Sequence, residues 1–217
     1  MNPNSRIDVQ SRIDVQSDID GCRAAHRRLF DTVVDVTDEV IAQRSRLPGW
    51  TVGHVLTHLA RNADSHVRRI DGAARDEVVD QYAGGYEGRA AEIEAGAGRS
   101  SVDILADVQA SALAVEAAFD SLPEEAWGRY TRAVSGAMVP AETLPFGRWR
   151  EVEIHHVDLG LGFDHDDWSD GFVDAELPRA LATVAHRLTD AESRRRLCAW
   201  LIERAAEPGP LSLGPWE

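Results

Sequence analysis

Two glutamates and two histidines lie close together in the segment REVEIHH, residues 150–156. On a helix, residues three or four apart share a face, so Glu151 pairs with His155, and Glu153 pairs with His156 on nearly the opposite face. Either pair suits one divalent ion, because imidazole nitrogens and carboxylate oxygens are common metal ligands. The neighbouring apolar residues do not decide between the two pairs, and such pairs also occur as ordinary surface contacts.

A further ligand is expected from the segment GHVLTHLARNADSH, residues 53–66. His54 and His58 are four apart, which is the spacing of a two-histidine zinc site. On a helical wheel, His58 flanks the apolar stripe, whereas His54 lies further towards solvent. His58 is therefore the better candidate for a ligand that faces the interior. His66 falls on the stripe itself and could be a packed core residue.

The elements that would position these residues are four long helices. Apolar residues recur at steps of three, four and seven, which predicts amphipathic helices that pack as a four-helix bundle. Thr51 can cap the second helix, and Pro145 falls where the first turns of the fourth tolerate proline. A glycine-rich stretch, residues 82–101, is interpreted as a loop. In chain order the four patterns cover 19–40, 51–70, 102–122 and 141–160.

The remainder of the chain differs in composition. We expect residues 1–160 to form the bundle and residues 161–217 to form a small C-terminal α or α/β cap domain. This second part contains an acidic linker, DHDDWSDG, and a proline-rich end. Two short helices are expected between them, at 175–188 and 191–206.

Composition narrows the possible partners. The net charge of −14 over 217 residues disfavours phosphate backbones and anionic lipid, so neither nucleic acid nor a membrane is expected as a partner. The N-terminus lacks the pattern of a signal peptide, which predicts a cytoplasmic protein. Its repeated SRIDVQ, residues 5–16, is interpreted as a short duplication. The two cysteines form no disulfide framework, and Cys22 lies on an apolar stripe.

Two segments together carry a family resemblance: LPGWTVGHVLTHLARNAD, residues 47–64, and RWREVEIHHVDLG, residues 148–160. They resemble the mycothiol-dependent maleylpyruvate isomerase family, whose members are DinB-like metal-binding four-helix bundles. The resemblance extends over nearly the whole chain, including YEGRAAEIEAGAGR and AWLIERA. It implies that the metal ligands are the histidine eight residues after Trp50, which is His58, together with Glu151 and His155.

The resemblance also implies a reaction. Three protein ligands leave an open position on a zinc-like ion, where the family places the thiol cofactor mycothiol. Its thiolate would add to the conjugated double bond of maleylpyruvate, allow rotation, and leave to give fumarylpyruvate, a step of aromatic (gentisate) catabolism. Asp158 would support one of these ligands without binding the ion itself.

Other side chains are candidates for binding the small-molecule substrate and the thiol cofactor. Arg204, in AWLIER, matches an arginine that is important for isomerase activity in the family. The substrate has two carboxylates, so a cationic clamp is expected. Weaker candidates for holding the sugar of the cofactor or the substrate are Arg61, Asn62, Tyr82 and Arg89.

The chain departs from the family pattern near its end. The interval RLTDAESRRRLCAW, residues 187–200, is shorter than the strand-containing segment of the isomerases. A shortened cap would reshape the pocket for another electrophile. Two alternatives therefore stay open: a mycothiol S-transferase with a different substrate, and a non-catalytic metal-binding bundle.

Overall fold

The computed structural model describes residues 14–214. These residues form two compact units, one that ends at Asp167 and one that begins at Trp168. The predicted boundary at residue 160 lies shortly before this division. Most of the N-terminal repeat, through residue 13, lies outside the described residues.

The described residues of the first unit form six α-helices. Helix α3 packs against α5 and α6, and α1 packs against α6 and α5, which makes these four the bundle. The short α4 packs on α3. The predicted mainly α, four-helix bundle architecture is confirmed. In chain order the helices are α1 (Val15–Val33), α2 (Asp38–Ile41), α3 (Val52–Ala74), α4 (Gly85–Gly96), α5 (Ser101–Ser121) and α6 (Leu144–Leu159).

The core lies between the four long helices and is mainly aliphatic. Each fully buried leucine, isoleucine or valine contributes roughly 1.5–3 kcal/mol relative to an exposed one. Cys22, on α1, belongs to this core, and burial raises the pKa of its thiol to about 12. The apolar residues with no exposed surface include Leu29, Val55, Leu56, Leu59, Ile104, Val115 and Val152.

The two helices that carry the candidate ligands have well-defined ends. Thr51 caps α3 as predicted, because its side chain accepts a hydrogen bond from the backbone N–H of His54. Pro145 lies in the first turn of α6, where its missing N–H is not needed. Gly160 ends α6 with a φ of 70°, a left-handed conformation that favours glycine.

The first predicted helix is shorter than expected. The pattern predicts a continuous helix to residue 40, but α1 ends at Val33 and α2 begins at Asp38. The backbone N–H of Val36 bonds to the carbonyl of Val33, which closes a turn instead of continuing the helix. The intervening VDVT, residues 34–37, is rich in β-branched residues, which lower helix propensity.

The glycine-rich stretch is not a loop, which corrects the sequence-based interpretation. Helix α4 occupies its centre and begins after Gly84, whose φ of 75° turns the chain into the first turn. A side chain at Gly96 would lie 2.5 Å from Cγ2 of Thr57, so glycine permits a close approach of α4 to α3. Tertiary packing of this kind outweighs the low helix propensity of glycine.

The buried face of α5 differs at its start. Val102 was expected on the apolar stripe but is 75% exposed, whereas Ile104 is fully buried. The backbone N–H of Ser101 donates to Asp38 over 2.6 Å and holds the first turn against α2. This contact sets the rotation of the first turns of α5.

Between α5 and α6 the chain forms a small hairpin that the sequence did not predict. Strand β1 (Tyr130–Arg132) pairs antiparallel with β2 (Met138–Pro140), with Thr131 opposite Val139. The hairpin packs beside α3 through β1. Short 3₁₀ turns cover Glu124–Ala126, Ala141–Thr143 and His165–Asp167.

The second unit contains α7 (Asp170–Arg187) and α8 (Ala191–Leu201). The second of its expected helices ends earlier than predicted, at Leu201 rather than residue 206. An isolated antiparallel bridge joins Leu188 to Leu213, so the proline-rich end returns to the start of α8. In neither unit is any described helix both long and apolar enough to cross a membrane.

Candidate metal centre

His58 lies in the second turn of α3 and points into the bundle, where only 2% of the residue is exposed. The capped start of the helix determines which histidine faces inward. His54 is committed to the cap, because its Nδ1 accepts a hydrogen bond from the backbone N–H of Thr51 over 3.2 Å. Trp50 packs its ring edge-on to His58, with centroids 5.8 Å apart, and covers one side of the imidazole.

Glu151 and His155 reach the same point from α6, one helical turn apart. The Oε2 atom of Glu151 lies 3.0 Å from Nε2 of His58 and 3.6 Å from Nε2 of His155. The two imidazole rings are nearly perpendicular, with centroids 4.6 Å apart. One donor atom from each of the three residues lies within 4.8 Å of the others, which is a separation that one ion could bridge.

The protonation of these groups suits a divalent ion. Burial lowers the pKa of His58 to about 4, despite the opposing effect of Glu151, so its ring is neutral at pH 7. Burial raises the pKa of Glu151, but the hydrogen bond from His58 and the nearby histidines outweigh it and hold the carboxyl ionised. Metal ligands must be deprotonated, and His58 and Glu151 meet that requirement.

Asp158 orients His155 from behind. Its Oδ2 lies 2.8 Å from Nδ1 of His155, so the ring proton is held on Nδ1 and the lone pair of Nε2 is directed towards Glu151. This arrangement matches the supporting position expected for Asp158. It fixes both the tautomer and the rotation of the ring.

The rival pair on α6 points elsewhere. Glu153 is fully buried, accepts a hydrogen bond from Nε1 of Trp149 over 3.0 Å, and forms an ion pair with Arg28 of α1. Nε2 of His156 lies 2.8 Å from the hydroxyl of Thr32, also on α1. These two residues join α6 to α1, so their geometry answers the ambiguity that the sequence left between the two pairs.

A buried arginine that the sequence did not single out joins the two helices that carry the donor residues. Arg148, on α6, has no exposed surface. Its Nη1 donates to the carbonyl of Leu59 over 2.8 Å and to Oδ1 of Asn62 over 2.9 Å. Its Nε donates to Nε2 of His26, whose Nδ1 lies 2.6 Å from Glu116. His26 is therefore part of a polar network inside the bundle.

The weaker candidates divide into two kinds. Arg61 is held by Asp107 at 2.6 Å and by Asp64 at 3.1 Å, and Asn62 is occupied by Arg148. Both therefore have structural partners already. Tyr82 and Arg89 are different, because the guanidinium of Arg89 lies over the Tyr82 ring and reaches His58.

Arg204 belongs to the second unit. It follows α8 and is exposed, and its Nη1 donates to the carbonyls of Ile202 and Glu203 at 3.3 Å each. These contacts are with backbone carbonyls and do not neutralise the positive charge of Arg204. Within the described residues, no carboxylate forms an ion pair with it. The guanidinium is chemically free to bind an anion.

A family model described as the mycothiol maleylpyruvate isomerase N-terminal domain matches residues 22–160. The chain belongs to this family. The matched region contains all six helices of the first unit from Cys22 onwards, together with the three donor residues. No curated protein matches the chain significantly.

Solved structures share the fold of this family member. The crystal structure of the mycothiol-dependent maleylpyruvate isomerase superposes with a TM-score of 0.71 at 24% identity, over 84% of this chain and 72% of that chain. A histidine-to-alanine mutant of that enzyme gives a TM-score of 0.71 at 24% identity, with 83% and 72% coverage. YfiT from Bacillus subtilis, a probable metal-dependent hydrolase with an unusual four-helix bundle topology, gives 0.55 at 18% identity, with 84% and 94% coverage.

Proposed function

We propose that this family member is a metal- and mycothiol-dependent cis–trans isomerase that converts maleylpyruvate to fumarylpyruvate. Convergence of His58, Glu151 and His155 on one point supports the proposal, because two imidazoles and a carboxylate are a typical catalytic zinc set. The solved structure with this fold is named for that reaction and that cofactor.

The chain's own residues have separate proposed roles. His58, Glu151 and His155 hold the ion, and Asp158 fixes the orientation of His155. A divalent ion bound there would stabilise the thiolate form of mycothiol at neutral pH, which is the reactive form. Arg204 is proposed to bind a substrate carboxylate through charge-assisted hydrogen bonds.

The cysteines of the chain do not replace the external thiol. Burial raises the pKa of Cys22 to about 12, so its thiolate is negligible at pH 7. Cys198 lies on α8, in the second unit, rather than in the bundle that contains the donor set. A separate thiol cofactor is consistent with this arrangement.

The decisive experiment follows the ultraviolet absorbance of maleylpyruvate with zinc-loaded protein, with and without mycothiol. We expect decay only when the thiol is present, with fumarylpyruvate as the product. His58→Ala should lose both bound zinc and turnover, whereas His54→Ala should retain zinc, because His54 is used in the helix cap. Equal zinc content in the two variants would contradict the ligand assignment.

A mycothiol S-transferase is the second candidate, favoured by the short interval RLTDAESRRRLCAW, residues 187–200. This interval contains Leu188, which forms an isolated bridge, and most of α8. Zinc-dependent consumption of mycothiol with another electrophile, and none with maleylpyruvate, would select this function. Bound zinc without thiol-dependent turnover on either substrate class would indicate a non-catalytic metal-binding bundle.

A further inference from the structure

Arg89 approaches the candidate metal centre from α4. Its Nη2 lies 3.1 Å from Nδ1 and 3.5 Å from Nε2 of His58. Its Cζ lies 5.9 Å from the centroid of the Tyr82 ring, and Tyr82 is only 5% exposed. The guanidinium therefore lies between a buried aromatic ring, which attracts a cation, and a proposed metal ligand. A metal ion bound at the centre would repel the guanidinium.

The charge of Arg89 is not neutralised by a carboxylate. Among residues 14–214, the ion pairs within 4.0 Å do not include Arg89, whereas the nearby Arg61 and Arg99 share Asp107 at 2.6 Å each. A guanidinium has five N–H donors in a planar fork. Arg89 thus has both unused hydrogen-bonding capacity and an unpaired positive charge beside the donor set.

The contact with His58 defines the tautomer of that ring. Arginine can only donate, so Nδ1 of His58 accepts, and the single proton of the neutral imidazole lies on Nε2. Nε2 in turn donates to Oε2 of Glu151 over 3.0 Å.

Arg89 lies beside the candidate metal centre without being one of its donor residues, so it can contact a molecule that is bound there. This step rests on the metal centre of the proposed function.

We propose that Arg89 is an anion-binding residue of this centre, which pairs with a carboxylate of the bound molecule. The fork of Arg89 offers two parallel N–H donors, which match a carboxylate better than a single point charge does. The residue thereby selects anionic ligands over uncharged ones of the same shape.

This role predicts different effects on two binding equilibria. Arg89 is not one of the proposed ligands, so zinc affinity should not fall when it is lost. The same loss removes a carboxylate partner, so anion binding should weaken. An arginine that only supported the fold would weaken both when it was removed, which separates the two explanations.

The test uses the full chain and its Arg89→Gln variant, with Arg99→Gln as the matched control, since Arg99 is paired with Asp107. Zinc affinity is measured by competition with a chromogenic chelator. Binding of maleate and of uncharged maleamide to the zinc-loaded proteins is measured by calorimetry. We expect Arg89→Gln to bind zinc at least as tightly as the parent and maleate about tenfold more weakly or worse. Maleamide binding should not change, and the control should match the parent throughout.

Arg89→Lys provides a second variant that keeps the charge but loses the fork, so its maleate affinity should lie between those of the parent and Arg89→Gln. Unchanged maleate affinity in zinc-loaded Arg89→Gln would overturn the inference, and so would a loss of zinc by that variant. A parent chain that binds no zinc would instead overturn the proposed function, and the inference with it.

Discussion

The guanidinium of Arg148 donates to the carbonyl oxygen of Leu59 over 2.8 Å, so a side chain of α6 is bonded to the backbone of α3. Leu59 directly follows His58, and Glu151 lies one helical turn after Arg148. The bond therefore joins the two helices at the level of the proposed ligands. Asn62 strengthens the link by accepting from the same Nη1 atom.

Replacement of Arg148 by methionine should damage both stability and metal binding. The change leaves Asn62 and His26 without their buried partner, which should cost about 3 kcal/mol of unfolding free energy, as measured by urea titration. Zinc affinity, measured on protein that remains folded, should fall as well because the two helices lose their mutual position. Arg75→Ala, which removes a surface ion pair with Glu77, should cost less than about 1 kcal/mol. Normal zinc affinity in folded Arg148→Met would show that Arg148 supports the fold alone.

Glutamine at each of the two glutamates of α6 should give different phenotypes. Glu151→Gln removes a proposed charged ligand, so zinc affinity should fall by about 100-fold or more. Glu153→Gln should retain zinc, since its carboxylate faces Trp149 and Arg28, and should instead lose about 1–3 kcal/mol of unfolding free energy. Chelator competition and urea titration on both variants measure the two effects. The reverse pattern would assign the metal to the other face of α6.

Asp158→Ala should weaken zinc binding without removing a proposed ligand. The carboxylate holds the proton of His155 on Nδ1, and loss of such a partner typically costs 10–100-fold in metal affinity. Asp164→Ala is the matched control, because Asp164 pairs with Arg46 at the surface. Zinc dissociation constants that agree for the two variants would contradict the role of Asp158.

Stability of the metal-free chain should depend on pH through its buried histidines. Burial lowers the pKa of His26 to about 4, of His66 to about 3 and of His156 to about 4. Their unfolded pKa is about 6.5, so as the pH falls below that value the unfolded chain takes up protons first. The stabilisation is therefore complete above about pH 6.5 and is lost progressively down to about pH 4, at roughly 1.4 kcal/mol per pH unit for each histidine.

Urea titrations between pH 7.5 and pH 5, in the presence of a chelator, measure this dependence. His66→Gln removes one titrating group and should flatten the slope, whereas His165→Gln, at an exposed position, should leave it unchanged. A stability that is constant over this range would mean that the buried rings do not stay neutral.

Arg204→Ala should keep zinc and lose turnover. Loss of a charge-assisted hydrogen bond to a carboxylate costs about 1.5–3 kcal/mol, which corresponds to roughly 10–100-fold in kcat/KM. Arg194→Ala, on the exposed side of α8, serves as the control and should behave as the parent does. Turnover of Arg204→Ala at the parent's rate would remove Arg204 from the proposed machinery.

The sequence was most informative where local signals agree. The cap at Thr51 and the apolar stripe that follows it predicted His58 on the inner face of α3. The four-residue spacing of Glu151 and His155 predicted that both lie on one face of α6. Spacing alone left Glu153 and His156 as rivals, because α6 is buried on more than one side. Only their contacts with α1 distinguish the two faces.

Long-range contacts account for what the sequence did not predict. His26 has partners 90 and 122 residues away, Glu116 and Arg148, which no local pattern reveals. The glycines of α4 suggested a loop, whereas the close approach to Thr57 requires a residue as small as Gly96. Arg89 lies on α4, so its contact with His58 could not be predicted while this segment was interpreted as a loop.

The contrast between the two cysteines gives the protein a built-in pair of chemical reporters. A maleimide dye should couple to Cys198 in the folded state, which marks the second unit without any mutation. Cys22 lies in the bundle core and should react only when the chain opens, so its labelling rate reports how often the core is exposed. One reagent can therefore label the surface of the second unit and measure transient opening of the bundle core, without any substitution in the sequence.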